Sequence, residues 1–292
     1  MNNNYSILVN SCDAYSDAWP MFFFLLRQNW KGDMPMLYLN TESKKFIDKE
    51  CVVTVLNQLA SGKTIPWGQR LIEALNRIDN EYILMMLEDF YYEQPINIPL
   101  IEKSLEEMEK DSTIAHIQLI PAGEFFNAEY KSDELFPGMM RREKYGEWTM
   151  IAGPTMWRKS DLIRLTKEND TPWGWEFFGS RRTWLYGKKI YGWKNQNESP
   201  IFDYDMLHGG AIHRGAWVGY KMEELQKKFG YKLDYGRRTV IFDWMKDSQS
   251  TNKKPVSQRI FSILRNRTKA ITSIIYGFYL RLKNWFYKNL CG

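Results

Sequence analysis

The stretch EYILMMLEDFYYE, residues 81–93, is an apolar run that ends in two adjacent carboxylates, Glu88 and Asp89. A run apolar on both faces suits a central parallel strand covered by helices on each side. Ionised carboxylates are costly to bury unless they are paired or bound to a cation. The position of this pair at the end of such a strand therefore calls for a compensating partner.

Working outward, the chain alternates strands and helices. YSILVN (residues 5–10) reads as a short strand, followed by a helix over Ser16–Asn29 that Ser16 would cap. MLYLN (36–40) and CVVTVL (51–56) read as the next strands. WGQRLIEALNRI (67–78) reads as a helix, with Leu71, Ala74, Leu75 and Ile78 on one buried face. After the strand at 81–87 come a helix over Ile98–Lys110 and a strand over Ile114–Ile120. Further on, the spacing predicts a strand leading into a helix from about Ser160, and a helix around Trp175–Leu185. This order predicts an α/β fold, with a mostly parallel central sheet flanked by helices in a Rossmann-like arrangement.

In such sheets ligands bind outside the carboxyl ends of the strands, where Glu88 and Asp89 fall. Oxygen-rich positions there suit a hard divalent cation, Mn²⁺ or Mg²⁺, that leaves other coordination sites to phosphate and water. Capping or surface ion pairing is the alternative reading of the pair. Asn10, Ser11 and Asp13 follow the first strand and Thr41 the second, so three polar strand ends could line one crevice. The loop ending in PWGQR puts Trp67 and Arg70 at a helix start, where guanidinium and helix N-terminus together could receive an anion. A surface arginine on an amphipathic helix is the alternative there. In HGGAIHRGAW (208–217), glycines would allow close backbone approach and Arg214 could hold a diphosphate, with His208 or His213 completing a metal shell. Structural histidines and a plain turn are the alternatives.

Taken in order, ILVNSCDAYSDAWPMFFFLL, LYLNTES, PWGQRLIEAL, EYILMMLEDFYY, AGPTMWRKSDLIRL, TPWGWEFFGSRR and GGAIHRGAW resemble bacterial GT-A-fold glycosyltransferases of surface polysaccharide (capsular or lipopolysaccharide) biosynthesis. The resemblance covers roughly residues 5–220. It implies a nucleotide-sugar donor and a glycan or lipid-linked acceptor. It also implies donor contacts at Asn10, Asp13 and Thr41, with Asp89 and Glu88 at the acidic motif that binds metal and diphosphate; Trp67, Arg70 and Arg214 join them as candidate donor-binding residues. That motif is usually of DxD type, and here its first acid is replaced by Leu87. The resemblance further implies Glu176 as the general base of an inverting transfer; apolar neighbours such as Trp175 and Phe177 would raise its pKa. Pairing of Glu176 with Arg181 or Arg182 is the structural alternative. At the level of function the alternatives are a degenerate sugar-binding scaffold of an assembly complex and, less favoured, a glycoside hydrolase.

Charge divides the chain. Residues 253–292 hold nine Lys/Arg and no acid, which leaves the preceding 252 residues at net −4 within a total of +5. The polar segment DSQSTNKKP (247–255) reads as a linker. It separates a catalytic domain over 1–246, with a donor half to about 125 and an acceptor half beyond, from a basic amphipathic tail over 247–292. In the tail, Val256, Ile260, Leu264, Ile271, Ile275, Phe278, Leu282 and Trp285 form a broad stripe that Arg267 and Arg281 interrupt. Its longest uncharged run, Ala270–Leu280, is shorter than the roughly 20 residues a bilayer span needs. The tail is therefore expected to lie on an anionic membrane surface, with Arg265, Lys269 and Lys283 at headgroups and Phe278, Trp285 and Phe286 at the interface. Docking on the body is the alternative. Three cysteines without CxxC spacing and no secretory pattern predict a cytoplasmic protein, peripheral on the inner face of the membrane. A homo-oligomer is compatible with the sequence, and nucleic acid is not an expected partner.

Overall fold

A computed structural model describes residues 4–57, 65–121, 129–194, 200–202, 210–230, 238–242 and 256–290. The expected α/β layering is found. Nine strands form one sheet in the order β3-β2-β1-β4-β8-β5-β9-β7-β6. Here β1 is Tyr5–Asn10, β2 Leu37–Thr41, β3 Val53–Asn57, β4 Tyr82–Met86, β5 Ile114–Gln118, β6 Tyr130–Phe136, β7 Met139–Arg142, β8 Thr155–Arg158 and β9 Lys189–Trp193. The strands from β3 through β2 and β1 to β4 are parallel. Beyond β4 the sheet is mixed, because β8 enters antiparallel between β4 and β5 and β7 runs antiparallel to β9. β10 (Ile212–His213), β11 (Ala216–Val218) and β12 (Val240–Ile241) form a small separate sheet.

The helices are α1 (Trp19–Asn29), α2 (Trp67–Leu75), α3 (Ile98–Lys110), α4 (Lys159–Leu165), α5 (Pro172–Thr183), α6 (Gly219–Phe229) and α7 (Val256–Leu290). α1 starts three residues later than expected. A 3-10 turn at Asp13–Tyr15 ends on Ser16 as its C-cap, Ser16–Ala18 continue as a turn, Ala18 stands at the N-cap of α1 without a side-chain bond, and Pro20 fills the first turn. Ser16 is therefore not the cap.

Every residue of β1 is buried, and Ile83–Met86 of β4 likewise. Side chains alternate between two cores on opposite faces of the sheet: Ile7, Val9, Leu84 and Met86 join α1 and α3 on one side, while Leu8, Ile83 and Met85 join α2 and α4 on the other. Glu93, at the end of the opening stretch, pairs with Lys221 and, at 3.2 Å, Lys228, and so ties the loop after β4 to α6.

α7 is one continuous helix and docks on the body. Ser273 and Leu280 are buried, Tyr276 joins the second core, and Arg164 Nη1 donates to Asn284 Oδ1 at 2.8 Å. The helix backbone approaches α5 closely at Gly277, where a Cβ would lie 2.0 Å from the Arg182 carbonyl oxygen. The predicted linker, 247–255, lies outside the described residues, as do the side chains of Val256, Ile260 and Leu264. Gly277→Val should force these helices apart at a cost of about 1–3 kcal/mol, read as a lower urea midpoint in equilibrium unfolding. An unchanged midpoint would contradict the docking geometry.

Candidate active site

Because β1, β2 and β4 are parallel, their carboxyl ends meet at one edge, and the expected polar residues gather there. Asn40 Nδ2 donates to Asn10 Oδ1 at 2.7 Å across β1 and β2. Asp13 braces the loop after β2. Its carboxylate accepts backbone N–H bonds from Glu42, Ser43 and Lys44 at 3.0–3.2 Å and the Ser43 hydroxyl at 2.5 Å. Burial raises the Asp13 carboxyl, but these bonds outweigh it and hold the pKa below its ordinary value. Thr41 is buried, and its hydroxyl donates to the Lys44 carbonyl at 3.1 Å. Asp13 and Thr41 thus shape the loop after β2.

Arg70 is buried, donates to the Ser11 carbonyl at 3.1 Å, and pairs with Glu42 at 3.1 Å. The α2 N-terminus beside it is not open to an anion. Gly68 and Gln69 donate their N–H groups to the carbonyls of Asp170 and Glu168 at 3.0 and 2.9 Å. Gly68 is needed for this approach, since a Cβ there would lie 2.0 Å from the Lys167 carbonyl oxygen. The anion-receiving reading of this helix start is therefore corrected: its orphan donors are taken by backbone. Trp67 packs on Trp175 at 5.7 Å between ring centroids, so it is largely a core side chain.

At the end of β4, Glu88 is buried, and Asp89 is half-buried with Oδ1 enclosed and without a hydrogen-bond partner among the described residues. Burial raises the Glu88 carboxyl well above its ordinary value, and the neighbouring Asp89 charge raises it further. Burial likewise pushes Asp89 up to about 6, against hydrogen bonding from its own backbone and the Arg238 charge. Cys12 is also pushed up, to about 11, by burial and by Glu88 and Glu42.

Glu176 reaches this cluster from the second turn of α5. Its Oε1 accepts the Ala152 N–H at 2.8 Å. Burial raises its pKa to about 7; the Ala152 bond opposes the shift and the Asp89 charge adds to it. The 149–153 segment that presents Ala152 is fastened to α5, because the Ser180 hydroxyl accepts the Met150 N–H at 3.0 Å. On its other side, Gly153 lies so close to Phe90 that a Cβ would meet the ring at 3.0 Å. The structural alternative for Glu176 is not realised: Arg181 pairs with Glu147 at 2.8 Å and Arg182 with Asp170 at 2.5 Å.

One site residue escaped the sequence reading. Arg238 clamps Asp17 through Nε at 2.7 Å and Nη2 at 3.0 Å, donates to the carbonyls of Ala14 and Gly215, and lies 4.2 Å from the Tyr15 ring centroid. Its charge opposes the upward shifts of both Glu88 and Asp89. No local spacing flags Arg238, since it comes to the crevice from more than 200 residues beyond Asp17 in the chain. Arg214, expected to hold a diphosphate, is exposed at the two-residue tip of the β10–β11 hairpin. Its φ of 49° and the 85° of Gly215 suit a tight hairpin turn. His213 precedes that tip, and His208 lies outside the described residues.

Among the described residues no three His, Cys, Asp or Glu side chains form a metal cluster. Glu88 and Asp89 still suit a hard cation that takes only one or two carboxylates, since the enclosed Asp89 Oδ1 has no hydrogen-bond partner among the described residues to compete for it.

No family model matches the chain, and no curated protein matches it. Similar solved structures include residues 1–349 of TarS from S. aureus, at 11% identity, with 94% of this chain and 80% of that chain covered and a TM-score of 0.47. Another is the same TarS segment in complex with UDP, at 9% identity, 96% and 91% coverage and a TM-score of 0.45. A third is GalNAc-T7 with UDP, GalNAc and Mn2+, at 12% identity, 90% and 57% coverage and a TM-score of 0.42. None of them assigns a role to a residue of this chain.

The Glu176 geometry sets a stability signature. The folded state keeps this proton up to about pH 7, whereas the unfolded chain releases it near the ordinary value of 4.5. Between these values the folded state binds more protons, so Glu176's contribution is intact below pH 4.5 and is lost as pH rises towards 7. Glu176→Gln should therefore gain melting temperature relative to wild type across that window. Parallel melting curves from acid to neutral pH would contradict the placement.

Proposed function

We propose that this chain is a nucleotide-sugar-dependent glycosyltransferase of the GT-A type, working with inversion on a glycan or lipid-linked acceptor. The observation that carries the reading is Glu176, held by the Ala152 N–H beside the Glu88–Asp89 pair, with a pKa of about 7. A general base is most effective when its pKa lies near the working pH, and a carboxyl here takes up a proton readily at neutrality.

In the reaction, the acceptor hydroxyl oxygen attacks the anomeric carbon of the donor, and Glu176 takes the hydroxyl proton. The bond from that carbon to the diphosphate oxygen breaks, and the electron pair leaves with the nucleoside diphosphate. Asn10 and Thr41, with the loop braced by Asp13, border the donor side of the crevice, and Arg70 holds the first-strand end in place. Glu88 and Asp89 would hold a divalent cation, which supplies positive charge to the departing diphosphate. Arg238 adds fixed positive charge near the same carboxylates. Leucine at position 87 leaves the cation two protein carboxylates, with water and phosphate oxygens to complete its shell.

A lipid-linked acceptor suits the outward face of α7. Ile271, Ile275, Phe278, Leu282 and Trp285 recur at alternating four- and three-residue steps and are exposed, Ile275 at 60% and Trp285 at 57%. Arg265, Lys269 and Lys283 are exposed along one flank. This face points away from the one that docks on α5. It offers an anionic membrane an apolar stripe with a basic margin. No helix of the described residues is long and apolar enough to cross a membrane.

The test is turnover of UDP-, GDP-, CMP- and dTDP-sugars with Mn²⁺, with water serving as a slow acceptor. Glu176→Gln should lower turnover by about 10²–10⁴-fold while donor-induced thermal stabilisation is retained. Unchanged turnover in Glu176→Gln and Asp89→Ala would overturn the reading. Sugar release from a polymer with no donor would point to hydrolysis instead.

A further inference from the structure

A second charged cavity, of about 210 Å³, lies at the opposite edge of the sheet from the acidic crevice. Six cations line it, Lys131, Arg141, Arg142, Lys144, Lys188 and Arg281, against one acid, Glu143. β9 runs parallel to β5, which through β8 runs parallel to β4. The cavity meets β9 at its first residues and β7 at its last, so it opens at the amino-terminal edge of these strands. The crevice occupies the carboxyl edge, which makes this a separate site.

Two of the cations are already neutralised. Arg141 pairs with Asp133 at 2.9 Å, and Lys188 with Asp161 at 2.6 Å. The other four are not. Among the described residues Lys131, Lys144 and Arg281 have no carboxylate partner within salt-bridge distance, and Lys144 meets only the Tyr145 ring, at 5.0 Å. Arg142 is the most telling. It is 3% exposed, and its Nη groups donate to neutral oxygens, Gln118 Oε1 at 2.9 Å and the Glu147 carbonyl at 2.7 Å. Its Nε has no hydrogen-bond partner among the described residues. The Tyr130 ring lies 5.1 Å from its guanidinium, and the Glu129 charge acts on it without forming a salt bridge. A buried guanidinium whose hydrogen-bond partners are neutral and whose Nε is unused still gains from an anion that completes it.

Arg281 is one of the two residues that interrupt the apolar stripe of α7. The cavity gives that interruption a reason, because its stem packs against Gly187 at 3.2 Å from a Cβ position, at the cavity wall. We propose that this cavity is a second anion site that binds a phosphate group, held by Arg142 from below and by Lys131, Lys144 and Arg281 at the rim. Guanidinium and ammonium groups from three separate elements converge there, as phosphate oxygens require. Because Arg281 also flanks the exposed apolar face of α7, the phosphate is either free or carried on a lipid headgroup. The site does not depend on the glycosyltransferase reading.

The experiment uses the full chain in metal-free buffer, with two probes: sodium pyrophosphate by calorimetric titration, and cosedimentation with vesicles of phosphatidylcholine with or without phosphatidylglycerol. K144E/R281E should weaken binding by at least roughly tenfold. Lys131→Glu alone should act in the same direction, which guards against a loss through undocking of α7. The charge-matched control K45E/K227E, at exposed lysines elsewhere, should leave binding within about twofold. Loss with both probes identifies a general phosphate site, and loss with phosphatidylglycerol vesicles alone identifies a headgroup site. Binding unchanged in K144E/R281E, or weakened equally by the control, would overturn the proposal.

Discussion

Three carboxyl groups enclosed at one edge of a sheet, Glu88, Asp89 and Glu176, are the constraint around which this structure is arranged. Burial raises all three, and the Asp89 charge raises the other two further. The surrounding elements supply the compensation: Ala152 gives Glu176 a backbone donor, and Arg238, brought from more than 200 residues beyond Asp17 in the chain, sets a guanidinium near the acid pair. That investment is out of proportion to any structural gain, since an apolar trio would pack at this edge without desolvation cost. Groups kept in such a state at the carboxyl ends of parallel strands are where ligand chemistry is to be looked for.

The long terminal helix joins this edge to the rest of the molecule. It docks on α5, the helix that carries Glu176, through Gly277 and its close approach to Arg182. One face is therefore structural and the opposite face remains apolar and exposed, with Arg281 set between that face and the basic cavity. The membrane-facing and body-docking readings of the tail are not exclusive, since each claims a different side of one helix.

Much of the fold is legible in the sequence because its signals are local. The both-faces-apolar run at 81–87 marks β4, and the spacing of Leu71, Ala74 and Leu75 marks the buried side of α2. Glu176 is a candidate through the resemblance, its aromatic neighbours account only for the expected rise in its pKa, and the structure adds the Ala152 bond that orients it. The errors are of a different kind. Ser16 is the C-cap of a 3-10 turn while Ala18 caps α1, and the α2 N-terminus lost its anion-binding character to the carbonyls of Glu168 and Asp170. Both depend on backbone partners that no side-chain pattern announces. Arg238 was illegible for a related reason: its partner Asp17 is over 200 residues away, and a lone arginine near a loop carries no local signal. The order of β8 and β5 in the sheet is likewise set by tertiary packing and not by periodicity.

Whether the end of β4 binds a cation together with a diphosphate decides the function of this edge. The most direct measurement is a Mn²⁺ titration followed by electron paramagnetic resonance, with and without nucleoside diphosphates, on wild type and Asp89→Asn. The account predicts Mn²⁺ binding that tightens with nucleoside diphosphate and weakens by at least roughly tenfold in Asp89→Asn. Equal Mn²⁺ binding by the two proteins, or none that responds to any nucleoside diphosphate, would contradict it.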